Sequence, residues 1–189
     1  MTAEPAPHSP RFVELSATEL RARLPEALDI YIAAMEYGPG TAETRTPMWL
    51  AHMLRTGWRC IAAIDRRGAL LGICYGYRGQ PGQWWHEQVR RGLHVQGSDD
   101  VIDTWMPDYY ELTELHVLPS AQGHGIGERL LRYLLADNDS THVLLSTPEG
   151  TGRAWRLYRR LGFHDVLRDY LFLGDPRPFA VLGRNLPLG

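Results

Sequence analysis

The sequence predicts an α/β domain built on a mixed β-sheet, because extended apolar runs alternate along the chain with stretches of helical apolar spacing. Two early extended runs are joined by a short turn, so part of the sheet is expected to be antiparallel. The 189 residues, with 44% hydrophobic content, suffice for one sizeable core. We therefore expect a flexible leader over residues 1–12 and a single domain over residues 13–189.

The N-terminal part predicts two helices followed by a β-hairpin. Residues 18–35 have helical apolar spacing, with a bend at Pro25, and residues 47–55 are expected to form a second helix. Strands are expected over residues 58–65 and 69–78, because both runs are rich in β-favouring residues and a glycine-containing turn joins them.

Residues 79–108 form an insert that is far longer than a usual hairpin connection. Its first half, residues 83–93, predicts a short helix with two tryptophans, and its second half is polar. Further strands are expected over residues 109–118, 142–146, 163–173 and 179–183, and further helices over residues 124–136 and 151–161.

A glycine-rich segment, Gln122 to Gly127, separates the extended run at 109–118 from the helical stretch that follows. Glycines let backbone N–H groups approach an anion with no Cβ in the way, and a helix start adds about half a positive charge there. The segment therefore predicts a binding site for a phosphorylated ligand.

Two absences narrow the choice of that ligand. All 20 basic residues are arginine, and a P-loop requires a lysine, so a P-loop nucleotidase is excluded. A dinucleotide-binding loop requires a third glycine or alanine where this chain has Glu128, so a dinucleotide is disfavoured.

Two motifs in sequence order carry a family resemblance. The first is Gln-x-x-Gly-x-Gly at residues 122–127, preceded by Leu115 to Pro119, and the second is Ala-x-x-Leu-Tyr-x-x-x-Gly-Phe at residues 154–163. Together they resemble the GNAT superfamily, the general-control-related N-acetyltransferases, over residues 58–173. The resemblance implies an acyl-CoA N-acyltransferase fold, with splayed central strands and flanking helices, and acetyl-CoA as the cosubstrate.

The resemblance also implies which residues bind coenzyme A. In the superfamily, pantetheine bonds the unpaired backbone of the splayed central strand as though it were another strand, and the glycine loop holds the pyrophosphate. A tyrosine on the later helix lies near the sulfur. The corresponding residues here are Leu115, His116, Val117, Gln122, Gly123, His124, Gly125, Ile126, Gly127, Glu128, Thr151, Ala154 and Tyr158.

Acetyl transfer to an amine requires a base and an acid. An alkylammonium with a pKa of about 10.4 is only about 0.04% neutral at pH 7. Glu111 and Glu114 on the strand at 109–118 are the candidate bases, and strict alternation places them on opposite faces. Glu111 stands where histone-type members carry their glutamate base and is favoured, with Glu114 second. Tyr158 is the candidate acid for the departing thiolate.

The acceptor is left open by both motifs. Aromatic residues could line a cleft for an aromatic or amphiphilic amine, which favours a small-molecule acceptor, although core packing is the alternative for most of them. Ser146 stands where ribosomal-protein acetyltransferases carry a carboxylate, which argues against that specialisation. A protein or peptide acceptor and a non-catalytic acyl-CoA-binding module remain as alternatives. The candidate acceptor-binding residues are Trp84, Trp85, Tyr109 and Tyr110.

Bulk properties predict a cytoplasmic protein, and the choice between a monomer and a homodimer is left open. The net charge of −2 gives no general reason to expect nucleic acid, and no apolar run approaches the length of a membrane span. Cys60 and Cys74 lie in apolar strands and are expected to be buried, reduced thiols. The eight histidines lack ligand spacing, so no metal site is expected.

Overall fold

A computed structural model describes residues 9–189 and shows a seven-stranded mixed sheet with the strand order β1-β2-β3-β4-β5-β7-β6. The strands are β1 (Arg11–Leu15), β2 (Arg59–Ile64), β3 (Leu70–Arg78), β4 (Tyr109–Val117), β5 (His142–Pro148), β6 (His164–Tyr170) and β7 (Phe179–Asn185). The helices are α1 (Ala17–Ala22), α2 (Leu24–Met35), α3 (Thr41–His52), α4 (Trp84–Val95), α5 (Asp99–Trp105), α6 (Ile126–Leu135) and α7 (Arg153–Arg160). The predicted mixed α/β fold is confirmed.

Residue contacts divide the chain into two compact units. Unit 1 comprises the described residues up to Tyr75 together with Glu114–Leu134, and unit 2 comprises Gly76–Thr113 and Leu135–Gly189. In unit 1, the helices α1 to α3 bury Leu20, Leu28 and Trp49 against the strand residues Ile73 and Tyr75. In unit 2, helix α4 buries Val89 and Leu93 against Leu144, Leu167 and Val181.

The N-terminal elements differ from the sequence expectation at β1. This strand pairs antiparallel with β2, and it begins at Arg11, within the leader expected over residues 1–12. Residues 1–8 of that leader lie outside the described part of the chain. The strand is short, and its stability comes from pairing with β2, which lies more than forty residues further along the chain. Local sequence therefore gave little indication of it.

The expected helix over residues 18–35 is two helices. Ser16 caps α1 through its side chain, and Glu19 bonds back to the Ser16 backbone, which completes a capping box. Pro25 lies in the first turn of α2, where its missing N–H costs no helical hydrogen bond, so it begins a helix instead of bending one. Helix α3 begins at Thr41, earlier than the expected residue 47, and its Trp49 is fully buried.

The insert over residues 79–108 forms two helices within unit 2. Helix α4 confirms the expected helix, whereas α5 forms in the half that was expected only to be polar. A Cβ at Gly92 of α4 would lie 2.7 Å from Leu167, so the glycine permits close packing on β6. The indole Nε1 of Trp85 donates to Ser146 Oγ at 3.1 Å and fixes α4 to β5.

Candidate active site

Strand β4 stops pairing with its parallel neighbour β5 partway along its length. The two strands pair over the three residues from Tyr109 to Glu111. Beyond Glu111, β4 continues to Val117, while β5 stays paired with β7 as far as Pro148. The backbone groups of β4 from Leu112 onward are thus not used in pairing with β5, and an extended ligand could bond them as an added strand.

Strand β4 also contains one extra residue relative to its other neighbour, β3. The amide of Gly79 donates to the carbonyl of Tyr109 at 3.0 Å at one end of the pair, and the amide of Leu118 donates to the carbonyl of Leu71 at 2.8 Å at the other. Gly79 and Leu71 are eight residues apart, and regular antiparallel pairing requires the same separation between their bonding partners on β4. Those partners, Tyr109 and Leu118, are one residue further apart. An extra residue of this kind in one strand defines a β-bulge. Strict alternation is therefore interrupted at one point between Tyr109 and Leu118.

The glycine loop lies between β4 and α6 and is open to solvent. A 3₁₀ turn at Pro119–Ala121 leads into it, and the Gln122 side chain donates from Nε2 to the Val117 carbonyl at 3.0 Å. Gly123 and Gly125 have φ angles of 86° and 75°, which favour glycine, and a Cβ at Gly125 would meet nothing within 4 Å. Buried Ile126 then begins α6. The residues therefore fit the expected cradle for a pyrophosphate.

The other residues expected to bind the cofactor lie at or near the starts of α6 and α7. His124 is exposed and its Nδ1 lies 3.3 Å from the Ala121 carbonyl oxygen. Glu128 lies in the first turn of α6 and pairs with Arg132 at 3.1 Å. Thr151 and Ala154 are exposed at the start of α7.

Glu111 is a buried carboxylate in unit 2, with 3% of its surface exposed. The Tyr77 hydroxyl donates to its Oε1 at 3.1 Å. The backbones are close at this point, because a Cβ on Gly76 would lie 2.2 Å from the carbonyl oxygen of Glu111. Tyr77 was not expected from the sequence, although its position on a strand next to β4 was the available signal.

Glu114 forms a short hydrogen bond with His116 in unit 1. Glu114 Oε2 and His116 Nε2 are 2.5 Å apart, and the two side chains are 11% and 9% exposed. The Tyr31 ring contacts the His116 ring edge-on, with 4.9 Å between centroids. Burial, reinforced by the charge of Glu114, raises the pKa of Tyr31 well above its usual value. Glu114 is therefore the anionic centre of a sheltered polar cluster.

His52 and Tyr75 belong to the same cluster. His52 Nδ1 and the Tyr75 hydroxyl are 3.0 Å apart. Burial lowers the pKa of His52 to about 4, although the nearby charge of Glu114 opposes the shift. His52 is thus neutral at physiological pH. Neither residue was expected from sequence, since no motif includes them.

Tyr158 lies on the buried face of α7 in unit 2, with 6% exposure. Its ring packs against Phe163 with 5.5 Å between centroids. On the same helix, Trp155 is stacked by the guanidinium groups of Arg159 and Arg168, at 4.6 Å and 5.2 Å. Helix α7 is therefore fixed on β6, and with it the position of Tyr158.

Two acidic residues hold Arg168 in that stack. Glu149 accepts from Arg168 at 2.7 Å and 2.9 Å, and Asp165 accepts at 3.1 Å. The bonds from Arg168 lower the pKa of Glu149 to about 2, against the opposing effect of burial. The loop between β5 and α7 is thereby tied to β6.

The aromatic residues considered for the acceptor differ in their exposure. Trp84 is 51% exposed and packs against Phe172, with 5.9 Å between ring centroids. Tyr109 is fully buried, and its hydroxyl lies 3.0 Å from His86 Nδ1. Trp85 and Tyr110 are 8% and 2% exposed. Three of these four side chains therefore pack inside unit 2.

A separate open cavity of about 530 Å³ lies in unit 2. None of the expected site residues lines it. Its lining residues are Trp105, Arg160, Leu161, Gly162, His164, Arg184, Asn185, Leu186 and Pro187.

Known acetyltransferases are similar to this chain in sequence. The family model described as an acetyltransferase (GNAT) domain matches residues 60–165. A GCN5-like protein acetyltransferase of Mycobacterium tuberculosis is 48% identical over 201 residues, which cover 93% of this chain and 98% of that protein. The N-alpha-acetyltransferase 40 of Saccharomyces cerevisiae is 30% identical over 135 residues, covering 66% of this chain and 45% of the yeast protein. The chain belongs to the GNAT family of acetyltransferases.

Solved structures share the fold at lower identity. A ribosomal-protein-alanine N-acetyltransferase from Brucella melitensis has a TM-score of 0.61 and 20% identity, with 93% of this chain and 99% of that chain covered. A phosphinothricin acetyltransferase from Sinorhizobium meliloti, in complex with acetyl-CoA, has a TM-score of 0.61 and 19% identity, with 95% and 89% covered. The expected superfamily and the acyltransferase class are confirmed, and acetyl-CoA is the cosubstrate of that class.

Within residues 9–189, no helix combines the length and the apolar character required to cross a membrane.

Proposed function

We propose that this protein transfers an acetyl group from acetyl-CoA to a primary amine by direct attack. The observation that carries the proposal is the open glycine loop, Gly123 to Gly125, which precedes α6 and follows the part of β4 that does not pair with β5. Its residues fit a pyrophosphate, and the backbone of Leu115 to Val117 fits an extended pantetheine. The donor supplies an activated thioester.

The side chains of Glu111 and Tyr158 supply the acid–base chemistry in this proposal. Glu111 removes a proton from the acceptor ammonium, and burial beside Tyr77 keeps its carboxylate away from bulk water. Tyr158 donates a proton to the departing thiolate, since a phenol with a pKa of about 10 retains its proton at neutral pH. A backbone N–H near Val117 stabilises the negative charge that develops on the carbonyl oxygen.

For the acceptor, we infer a protein amine in preference to the small molecule favoured by the aromatic residues in the sequence. The relative from Mycobacterium tuberculosis is described as a protein acetyltransferase, and the similarity extends over 98% of its length. Three of the four aromatic residues invoked for a small-molecule cleft are buried, namely Trp85, Tyr109 and Tyr110. A small-molecule amine is the second candidate, supported by the exposed indole of Trp84.

The test measures release of the free CoA thiol with a panel of acceptors. The panel contains peptides with a free N-terminus, peptides with an internal lysine and a blocked N-terminus, polyamines and aryl amines. We expect turnover with a peptide class and a fall of at least about a hundredfold in kcat for Glu111→Gln and Tyr158→Phe. The exposed residues Glu43 and Tyr133 provide matched controls, Glu43→Gln and Tyr133→Phe, which should keep wild-type rates.

Two outcomes contradict the proposal. Unchanged turnover in both Glu111→Gln and Tyr158→Phe would remove the assigned base and acid. Tight binding of CoA without turnover of any acceptor would identify a non-catalytic binding module. Turnover confined to polyamines or aryl amines would keep the transferase and replace the protein acceptor with a small molecule.

A further inference from the structure

We propose that the open cavity of unit 2 is a second ligand-binding site, which takes a planar organic anion. The flat ring of the ligand lies against Trp105, and its acid group, a carboxylate or a phosphate, binds Arg184 and Arg160. None of the residues assigned to the donor, the base or the acid lines this cavity. The inference therefore does not depend on the proposed function.

The cavity lies at one end of the part of the sheet that belongs to unit 2. Its lining includes His164, where β6 begins, and Arg184 and Asn185, where β7 ends. Asn185 pairs with His142, the first residue of β5, whereas the loop to α7 leaves from Pro148 at the other end of that strand. Six steps along a strand span about 20 Å, so the cavity and this loop are well separated.

The lining of the cavity favours negative charge in a ligand. It includes Arg160 and Arg184, and no aspartate or glutamate side chain is among the residues that line it. Because arginine stays charged at every physiological pH, a concave site lined by two guanidinium groups attracts an anion. His164 and Asn185 add side chains that can donate hydrogen bonds to an acid group.

Arg184 is oriented by the protein itself. Its Nη1 donates to the carbonyl of Leu161, at the C-terminal end of α7. A guanidinium carries five N–H groups in a planar fork, so one bond to a carbonyl fixes the group and leaves further donors for a ligand. Gly189 also approaches this guanidinium, since an added Cβ would lie 3.8 Å from Nη2, so the acid group has to reach Arg184 from the cavity side.

Trp105 gives the cavity a flat apolar wall. Its ring lies on β7, because a Cβ on Gly183 would be 2.6 Å from the indole, and it packs beside His142 with 4.8 Å between ring centroids. These contacts fix the indole, so a ligand ring can stack on it at little cost in side-chain ordering. The volume of about 530 Å³ lies in the range of small-ligand sites. Further apolar lining comes from Leu161, Leu186 and Pro187.

The experiment compares three probes that share one ring system, namely naphthoate, naphthyl phosphate and the neutral naphthylmethanol. Each is titrated into the full-length protein by isothermal calorimetry. We expect the anions to bind at least about tenfold more tightly than the alcohol, because their acid groups form charge-assisted hydrogen bonds. The tighter of the two anions identifies the acid group that the cavity prefers. Equal binding of the alcohol, or binding of no probe, overturns the proposal.

Two arginine variants locate the acid group of the bound probe. Arg184→Gln should raise the Kd of the anions about tenfold or more, since this guanidinium is partly buried and oriented. Arg160→Gln should raise it about two- to fivefold, because Arg160 is exposed. Arg66→Gln, at an exposed position in the turn between β2 and β3, is the control and should leave the Kd unchanged.

A structural readout does not depend on the stability of Arg184→Gln, which also loses its bond to α7. In the wild-type protein, the ring protons of bound naphthoate should give nuclear Overhauser effects to the Trp105 indole. Such effects to other tryptophans alone, or an unchanged Kd in both arginine variants, would overturn the proposal.

Competition with CoA separates this site from the donor site. With the donor site saturated by CoA, and also in Gly125→Ala, the Kd of naphthoate should equal the value for the free wild-type protein. Loss of naphthoate binding in the presence of CoA would show that the probe occupies the donor site and would overturn the inference. A protein that binds naphthoate as expected but acetylates no acceptor would contradict the proposed function and leave this inference standing.

Discussion

Replacement of Gly125 by alanine tests whether the backbone conformation of the glycine loop is what binds the donor. The φ angle of Gly125 is 75°, a region that costs residues with a Cβ about 1–2 kcal/mol. An added Cβ would meet nothing within 4 Å, so the substitution introduces no collision. Backbone strain is therefore the whole expected effect.

That strain must appear in one of two measurements. If the free loop relaxes, CoA binding has to restore the strained conformation, and the Kd rises about five- to thirtyfold. If the loop keeps its conformation, the Kd is unchanged and the Tm falls by about 2–8 °C. We expect the first result, because Gly123 to Gly125 are exposed and few contacts hold them.

The assay is isothermal titration of CoA, with thermal unfolding of the same samples. Gly68 provides a matched control, since it also has a positive φ, of 85°, with no atom within 4 Å of an added Cβ, and it lies in the turn between β2 and β3. Gly68→Ala should lower the Tm without changing the Kd. A Kd and a Tm for Gly125→Ala that both equal the wild-type values would refute the reasoning. An equal rise in Kd for both variants would show that the effect is not local to the loop.

Three further predictions concern stability. Glu149→Gln should lower the free energy of unfolding at neutral pH, because the ionised carboxylate of Glu149 is stabilised by Arg168. The difference in free energy from wild type should shrink as the pH falls from about 4.5 toward about 2, where Glu149 becomes protonated. A pH-independent difference in urea unfolding would contradict this. Trp85→Phe and Ser146→Ala each remove the same hydrogen bond, so a double-mutant cycle should give a coupling energy of about 1 kcal/mol. Additive effects of the two substitutions on stability would contradict this. Leu130→Ala should lower the free energy of unfolding by about 2–5 kcal/mol, because Leu130 is fully buried and the substitution leaves a cavity. A fall in Tm of less than about 2 °C would contradict this and would show that neighbouring side chains fill the cavity.

The elements that local sequence predicted well are those whose stability depends on nearby residues. The periodicity of Leu130 to Leu135 identified α6, and the glycines before it identified the loop, because positive φ angles and a helix start are local requirements. The helix α4 of the insert was also visible in its amphipathic spacing. By contrast, β1 depends on pairing with β2, and no local pattern indicated it. The start of α3 at Thr41 was likewise not expected.

In the candidate site too, some residues could be predicted from the sequence and others could not. Glu111, Glu114 and Tyr158 could be named from sequence, because the family motifs set their distances from the glycine loop. Their partners could not, since Tyr77 is 34 residues from Glu111 in the chain and Tyr31 meets His116 only after α2 packs on the sheet. The bulge in β4 likewise interrupts the alternation expected for its side chains.

The sequence by itself determined the fold class and the class of chemistry, because each depends on residue types at fixed short spacings. The tertiary structure decided which carboxylate is buried beside a tyrosine and which is paired with a histidine. Those environments come from segments far apart in the chain, and burial and neighbouring charge, which only folding creates, determine how each group can exchange a proton.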